Sequence, residues 1–282
     1  MKTKIIDGRK IAEKIRNNVS DEIKELYNKY DIKPRIASVI IGDNKESSLY
    51  LRLRDKACKK AGIESVHIEF SSNNSEEEVL EKINELNSDE NIHGILIQMP
   101  IPSYISKTKL FETINPKKDV EGFTPENMGR LLIGDEYIVP CTPLAVLKIL
   151  EHEKIDLKGQ DVLIVNHSTV VGKPLCELFL NRDASVSVAH VFTKNLFNYT
   201  NRADILVSAS GVPGLIKKAH VKPECFVIDV GIIKTDEGVT GDVDFQEVKD
   251  IAGRITPVPG GVGPVTIACS LENMLKTFKR NI

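Results

Sequence analysis

Short apolar runs rich in β-branched residues recur along this chain, and stretches of helical spacing lie between them. Residues 36–41, the alternating Val66, Ile68 and Phe70, and residues 94–99 are the first three strands expected. Asp7 is placed to cap a helix carrying Ile11, Ile15, Val19, Ile23 and Leu26 on one face. Gly42-Asp43-Asn44 reads as a turn, and Ser47 or Ser48 can start the segment SLYLRLRDKACKKAG, which Gly62 stops. Ser75-x-x-Glu78 is a capping box ahead of Val79, Leu80, Ile83 and Leu86. A short helix is expected around residues 109–114. Strand and helix in alternation predict a parallel sheet, because parallel neighbours need a crossover between them. Pro140-Cys141-Thr142-Pro143 marks a boundary, followed by a helix at 144–151 and four more strands at 162–165, 186–191, 205–209 and 226–230. The fold class is therefore α/β, in two lobes. Three prolines and three glycines at 257–264 exclude a regular element there, and Leu271, Met274, Leu275 and Phe278 form a last helix.

The stretch DVLIVNHSTVVGKP, residues 161–174, carries the first chemical signal. Val162-Leu163-Ile164-Val165 reads as a strand buried on both faces. Asn166-His167-Ser168-Thr169 is small, polar and rich in N-cap candidates. Gly172 allows close backbone approach, and Pro174 suits a first helical turn. A strand, a tight turn and a helix start together make an anion site, where dinucleotide-binding folds place a pyrophosphate. The usual G-x-G-x-x-G is absent, since Asn166 and Ser168 stand at its first two glycines. An ordinary βα turn is the other reading.

Thirty-eight basic residues against forty acidic give a net charge of −2, which offers nothing to nucleic acid. Five scattered cysteines without a C-x-x-C pattern suit reduced thiols in the cytoplasm. The six histidines show no ligand spacing, so no metal site is expected. The N-terminus turns polar by Asp7, too soon for a signal peptide, and no apolar run approaches the ~18 residues of a membrane span.

One sequence, PVPGGVGPVT at residues 257–266, resembles the bifunctional methylenetetrahydrofolate dehydrogenase/methenyltetrahydrofolate cyclohydrolases. GILIQMPIP (94–102), KDVEGF (118–123), PCTP (140–143), VVGKP (170–174), DVGI (229–232) and GDV (241–243) follow the family's order and spacing. The resemblance covers essentially the whole chain. It implies a folate-binding catalytic lobe of residues 1–140 plus 265–282 and a Rossmann-like NAD(P)-binding lobe of residues 141–264, with a cleft between them. It also implies a homodimer, tetrahydrofolate derivatives as substrates, and NADP, with NAD possible, as hydride acceptor. The family oxidises 5,10-methylenetetrahydrofolate and then hydrolyses the methenyl cation to 10-formyltetrahydrofolate.

The same resemblance assigns residues. Tyr50 matches the tyrosine that stacks on the folate, although a helical tyrosine often simply packs in a core. Arg54 stands where the family has a catalytic lysine, one turn after Tyr50 on the same helix face. Arginine binds anions and orients water, but it keeps its proton. Lys56 points elsewhere on the helix and reads as a surface lysine. Gln98 matches the glutamine that holds the family's lysine, and an amide on an apolar strand needs a partner. Glu121 replaces the family's pterin-binding aspartate, and Asp119 can equally cap a turn. Pro100, Gly261 and Pro264 complete the implied folate contacts. On the nucleotide side the resemblance points to Asn166, His167, Ser168, Gly172, Val191, Ser210, Gly211, Gly231 and Ile232. Val191 cannot hold a 2′-phosphate, and no acid ends the second strand of this lobe to hold a 2′-hydroxyl. A protonated His167 would favour NADP increasingly as pH falls. His190, at the end of that strand, can equally be structural. Two rivals stand beside this reading: a cyclohydrolase working through Arg54 and an ordered water, and a binding paralogue without catalysis.

Overall fold

Apolar strands buried on both faces need helices on both sides, and this requirement organises the chain twice over. The computed structural model describes residues 3–42, 47–236 and 238–282, with the side chains of 47–49 also outside the description. In chain order the first elements are β1 (Lys4–Ile5), α1 (Gly8–Tyr30), β2 (Arg35–Ile41), α2 (Ser47–Ala61), β3 (Glu64–Phe70), α3 (Glu76–Ser88), β4 (Gly94–Ile97), α4 (Lys107–Thr113) and α5 (Pro125–Leu132). Next come α6 (Cys141–His152), β5 (Asp161–Val165), α7 (Gly172–Leu180), β6 (Ser185–Ala189), α8 (Phe197–Thr200), β7 (Ile205–Ser208) and β8 (Phe226–Asp229). The last are β9 (Ile233–Thr235), β10 (Gly238–Thr240), α9 (Phe245–Val248), β11 (Arg254–Ile255) and α10 (Val262–Arg280). The turn at Asp43-Asn44 and the Ser47 and Ser48 side chains that would cap α2 fall outside the description.

The chain divides into two compact units, Glu13–Cys141 with Ile267–Ile282, and Thr142–Thr266 with Met1–Ala12. In the first, β3, β2 and β4 form a parallel sheet in that order. Side chains alternate across the strand, so Ile36 joins a core with Val19, Cys58, Leu96, Met274 and Phe278, while Ala37, Val39 and Ile41 join another with Val79, Ile83 and Leu110. The capping box at Ser75 and Glu78 is formed. Helix α5 has no counterpart in the sequence reading. Thr124 caps it by accepting the Asn127 N–H, and Pro125 opens it.

The second unit holds a six-stranded parallel sheet in the order β1-β11-β8-β7-β5-β6. Strand β5 lies inside it, with its successor β6 on one side and β7 on the other. The order reverses there, and open α/β sheets bind ligands outside the carboxyl ends of their strands at such a point.

Three expectations need correction. Residues 1–12 belong with the second unit, because β1 pairs with β11 and Ile6 N–H donates to the Ile255 carbonyl at 2.9 Å. The proline-glycine stretch is irregular only as far as Gly261, since Val262, Gly263 and Pro264 form the first turn of α10, where a proline's missing N–H costs nothing. Strand β6 stops at Ala189, because the His190 N–H turns to Thr193 Oγ1 at 2.9 Å and the Thr193 N–H returns to the His190 carbonyl at 2.8 Å.

Candidate active site

Helix α2, the carboxyl end of β4 and the segment 119–123 carry Tyr50, Arg54, Gln98, Pro100 and Glu121 in the first unit, whereas Gly261 and Pro264 belong to the second. Tyr50 is half-buried and packs on the core beside α10. Arg54 is only 1% exposed. Its Nη2 donates to Ser38 Oγ of β2 at 3.0 Å, and its Nε has no hydrogen-bond partner among the described residues. Gln98, 8% exposed, spends its amide nitrogen on the Met99 carbonyl at 3.2 Å and leaves Oε1 without a described partner. A buried donor and a buried acceptor here are thus without described partners, as Asn127 Oδ1 and Asn273 Oδ1 also are, and a bound molecule or water can satisfy them. Ser38 was not anticipated; its hydroxyl on the buried strand RIASVII is the one signal that could have shown it. Lys56 is exposed, away from this group.

Charge links these groups. Burial pushes the Glu121 carboxyl up to about 7, and the nearby Arg54 guanidinium offsets part of that rise. Burial also holds the Tyr50 phenol well above its ordinary value, with Glu121 adding to the rise. The Cys141 thiol is raised in the same way. Pro100 is exposed just beyond Gln98.

Other residues of the KDVEGF motif have structural duties. Lys118 Nζ donates to the Leu86 and Asp89 carbonyls at 3.0 and 2.7 Å, closing the carboxyl end of α3. Asp119 accepts the Gly122 and Thr124 N–H groups and Asn127 Nδ2 at 2.8 to 2.9 Å, which is the turn-capping alternative. Asn273 of α10, also unanticipated, donates to the Val120 and Val139 carbonyls at 2.9 and 2.8 Å. These bonds fix the backbone on which Glu121 stands.

In the second unit the expected nucleotide residues lie in the loops after β5, β6, β7 and β8. The turn after β5 is built by a side chain. Asn166 Oδ1 accepts the Ser168 and Gly172 N–H groups at 2.7 and 3.1 Å, and its Nδ2 donates to the Ala209 carbonyl at 2.6 Å. Ser168 Oγ accepts the Val171 N–H, and the Ser168 carbonyl accepts the Lys173 N–H at 2.9 Å. Pro174 has no N–H to give. An anion at a helix start usually meets unpaired first-turn N–H groups, but here the turn consumes those of Gly172 and Lys173, leaving the dipole of α7 and the side chains of His167 and Ser168 to meet an anion. A Cβ at Gly172 would lie 2.2 Å from the Asn166 carbonyl oxygen. Gly172→Val is accordingly expected to raise the dinucleotide KM at least several-fold, measured by initial rates in a variant whose circular dichroism matches wild type; an unchanged KM would refute the site.

The His167 and His190 rings lie 4.6 Å apart, and His190 Nδ1 accepts the Phe192 N–H at 3.2 Å. Val191 is 85% exposed, and Ile232 and Val212 are also exposed. Gly211 and Gly231 sit in loops tied to the buried carboxylates of Asp242 and Asp229. Burial raises Asp229 to about 6, against the three backbone N–H groups that favour its charged form. Gly261 is buried in the second unit, and Pro264 lies in the first turn of α10.

A parallel sheet whose order reverses at β5, with glycine loops and exposed apolar side chains along one edge, defines the dinucleotide-binding α/β class. Such an edge fits a nicotinamide dinucleotide, whose flat rings need apolar cover. Two family models match the chain, the tetrahydrofolate dehydrogenase/cyclohydrolase catalytic domain over residues 6–121 and its NAD(P)-binding domain over residues 140–282. The chain belongs to the tetrahydrofolate dehydrogenase/cyclohydrolase family. It is 47% identical over 279 residues to the bifunctional protein FolD of Methanosarcina barkeri, covering 99% of this chain and 97% of that one. It resembles the crystal structure of the Campylobacter jejuni bifunctional enzyme FolD with a TM-score of 0.96 at 41% identity, covering 99% and 100% of the two chains. The Trypanosoma brucei enzyme, solved with NADP cofactor and an inhibitor, gives 0.95 at 34% identity, covering 99% and 98%.

Proposed function

We propose that this chain oxidises 5,10-methylenetetrahydrofolate with NADP and hydrolyses the methenyl product to 10-formyltetrahydrofolate, the second step being the slower. The observation that carries this reading is the electrostatic grouping of Tyr50, Arg54 and Glu121, with a buried Arg54 donor unmatched among the described residues. Tyr50 offers a ring for stacking, and Glu121 in its charged form accepts from pterin N–H groups. Arg54 and Gln98 orient what binds between them and keep bulk water out. When bound, NADP supplies the hydride acceptor. His167, Ser168, Val191, Ser210, Gly211, Gly231 and Ile232 would hold it, while Asn166 and Gly172 shape the turn. The oxidation needs positioning more than proton transfer, so it tolerates an arginine at position 54.

The resemblance also supports a cytoplasmic homodimer. All five cysteines are free, and no described helix is long and apolar enough to cross a membrane. The test is an assay of purified protein with methylene- and methenyl-tetrahydrofolate and each dinucleotide. NADP-dependent formation of the methenyl chromophore is expected, and its absence with both dinucleotides would sink the reading.

NADP is expected to be preferred modestly over NAD, because no acid ends β6 to hold the 2′-hydroxyl of NAD. The ratio of kcat/KM values for the two cofactors checks this, and a strong preference for NAD would overturn the assignment.

A further inference from the structure

The second unit holds a pair of buried aspartates, Asp229 and Asp242, that the reaction does not use. Asp242 is fully buried. Its Oδ2 accepts Ser208 Oγ at 2.8 Å and the Ser210 N–H, and its Oδ1 accepts the Gly211 N–H at 3.0 Å. Asp229, at the end of β8, accepts the Gly231 and Asp242 N–H groups through Oδ1 at 2.9 and 3.0 Å, and the Val243 N–H through Oδ2 at 2.9 Å. Two carboxylates thus tie together the loop after β7, the loop after β8 and the segment 241–243. Glycine is required at the contacts. A Cβ at Gly231 would meet Asp242 Oδ1 at 2.3 Å, and one at Gly241 would meet Asp229 Oδ2 at 2.0 Å.

Unlike Asp119, whose three bonds close one local turn, Asp242 and Asp229 bond groups on three separate segments of the chain. Two negative groups brought together below a surface are costly unless every oxygen is satisfied. Here the bonds converge on loops whose outward faces carry Val212 and Ile232, both exposed. Backbone amides fixed by an ionised acceptor are stiff, because charge-assisted bonds are about twice as strong as neutral ones.

We propose that Asp242, held in turn by Asp229, is a positioning residue for hydride transfer: its carboxylate fixes the 210–212 loop, and Asp229 fixes the Gly231 turn, so that the nicotinamide is held in one orientation. This rests on the assignment of those loops to the nicotinamide end of the dinucleotide. In the reaction a C–H bond of the folate methylene carbon breaks, and its electron pair leaves with the hydrogen to reduce the nicotinamide ring, so the folate is oxidised to the methenyl cation. Asp242 touches neither partner. It acts through the loops.

Asp242→Asn is the test. One acceptor oxygen becomes an NH₂ donor, so in either orientation of the amide a backbone N–H faces another donor. The expected results are a rise in the NADPH dissociation constant, read by cofactor fluorescence, and faster amide exchange at residues 210–212. The single-turnover hydride rate should fall by about a hundredfold, the scale on which small misplacements act. The KM for methylene-folate should stay within twofold or so, a split that general destabilisation would not give. A folded variant with wild-type NADPH affinity, exchange and hydride rate would overturn the proposal. Should Asp242→Asn fail to fold, Ser208→Ala removes one donor from the same carboxylate, and a several-fold loss of hydride rate is expected; a wild-type rate there would refute the role. If the wild-type chain oxidises no methylene-folate, the functional assignment fails instead, while NADPH affinity and amide exchange still judge the role of Asp242.

Discussion

Arg54→Lys is expected to raise methenyl-tetrahydrofolate hydrolysis by about tenfold or more, as a positioned acid–base group typically contributes ~10²–10⁴-fold. Water attack on the methenyl carbon requires a proton to leave, and a later step returns one to a departing nitrogen. A guanidinium orients water but keeps its protons, whereas a buried ammonium can give one up. The site is ready for the change: Gln98 Oε1 is without a described partner, and Ser38 Oγ already accepts from Nη2. Charge is conserved, so the fold should survive. Hydride transfer lacks the proton requirement and should change little. Hydrolysis, corrected for the spontaneous rate, measured in both proteins decides the matter. Should the wild type hydrolyse methenyl-folate as fast as it forms it, Arg54 is fully competent and this account of its chemistry is wrong.

The second large effect is on pH dependence. Glu121, raised to about 7 chiefly by burial, has a folded-state value above its ordinary one, so its carboxylate is lost as pH falls through that value. A pterin N–H needs the carboxylate, not the acid. The folate KM should therefore be flat above pH ~7.5 and rise about tenfold for each unit below ~6.5, the limiting slope for a single titrating group. Glu121→Asp, with a shorter reach, should move this transition, and Glu121→Gln should remove it while raising KM at high pH. The KM of NADP, read in the same experiments, should not follow the transition. A folate KM that stays flat from pH 5.5 to 8 would exclude Glu121 from pterin binding. The same shift runs the other way for folding: protonated Glu121 is the better tolerated form inside, so its contribution to stability is present at low pH and is lost as pH rises through about 7.

Much of this was legible because periodicity and caps act locally. Ser75 and Glu78 form the capping box that their spacing announces, and Tyr50 and Arg54 share a helix as a four-residue interval requires. The failures lie where tertiary bonds decide. Strands β1 and β11 are two residues each, too short to show alternation. The run Asn166–Gly172 has the composition of an anion-binding turn, but a single side-chain oxygen takes two of its donors, which composition does not reveal. KDVEGF reads as one functional motif, yet Lys118 closes a helix and Asp119 closes a turn, while the Glu121 carboxyl is raised by burial, a rise that Arg54 partly offsets. DVGI and GDV mark family likeness in the sequence; only the folded chain reveals that the Asp229 carboxylate grips the Asp242 backbone.

The pairing of β1 with β11 also orders events during synthesis. Lys4 and Arg254 are register partners, and Lys4 Nζ reaches Glu153 at 2.6 Å, so everything that anchors the amino terminus lies far downstream. On the ribosome that segment emerges well before its partner and waits through the translation of some 250 residues, while the β2–β4 sheet can form behind it from strands close together in the chain. Strand β1 is thus made long before it can find its place, and its two-residue length leaves little sticky edge for other chains to find in the interval.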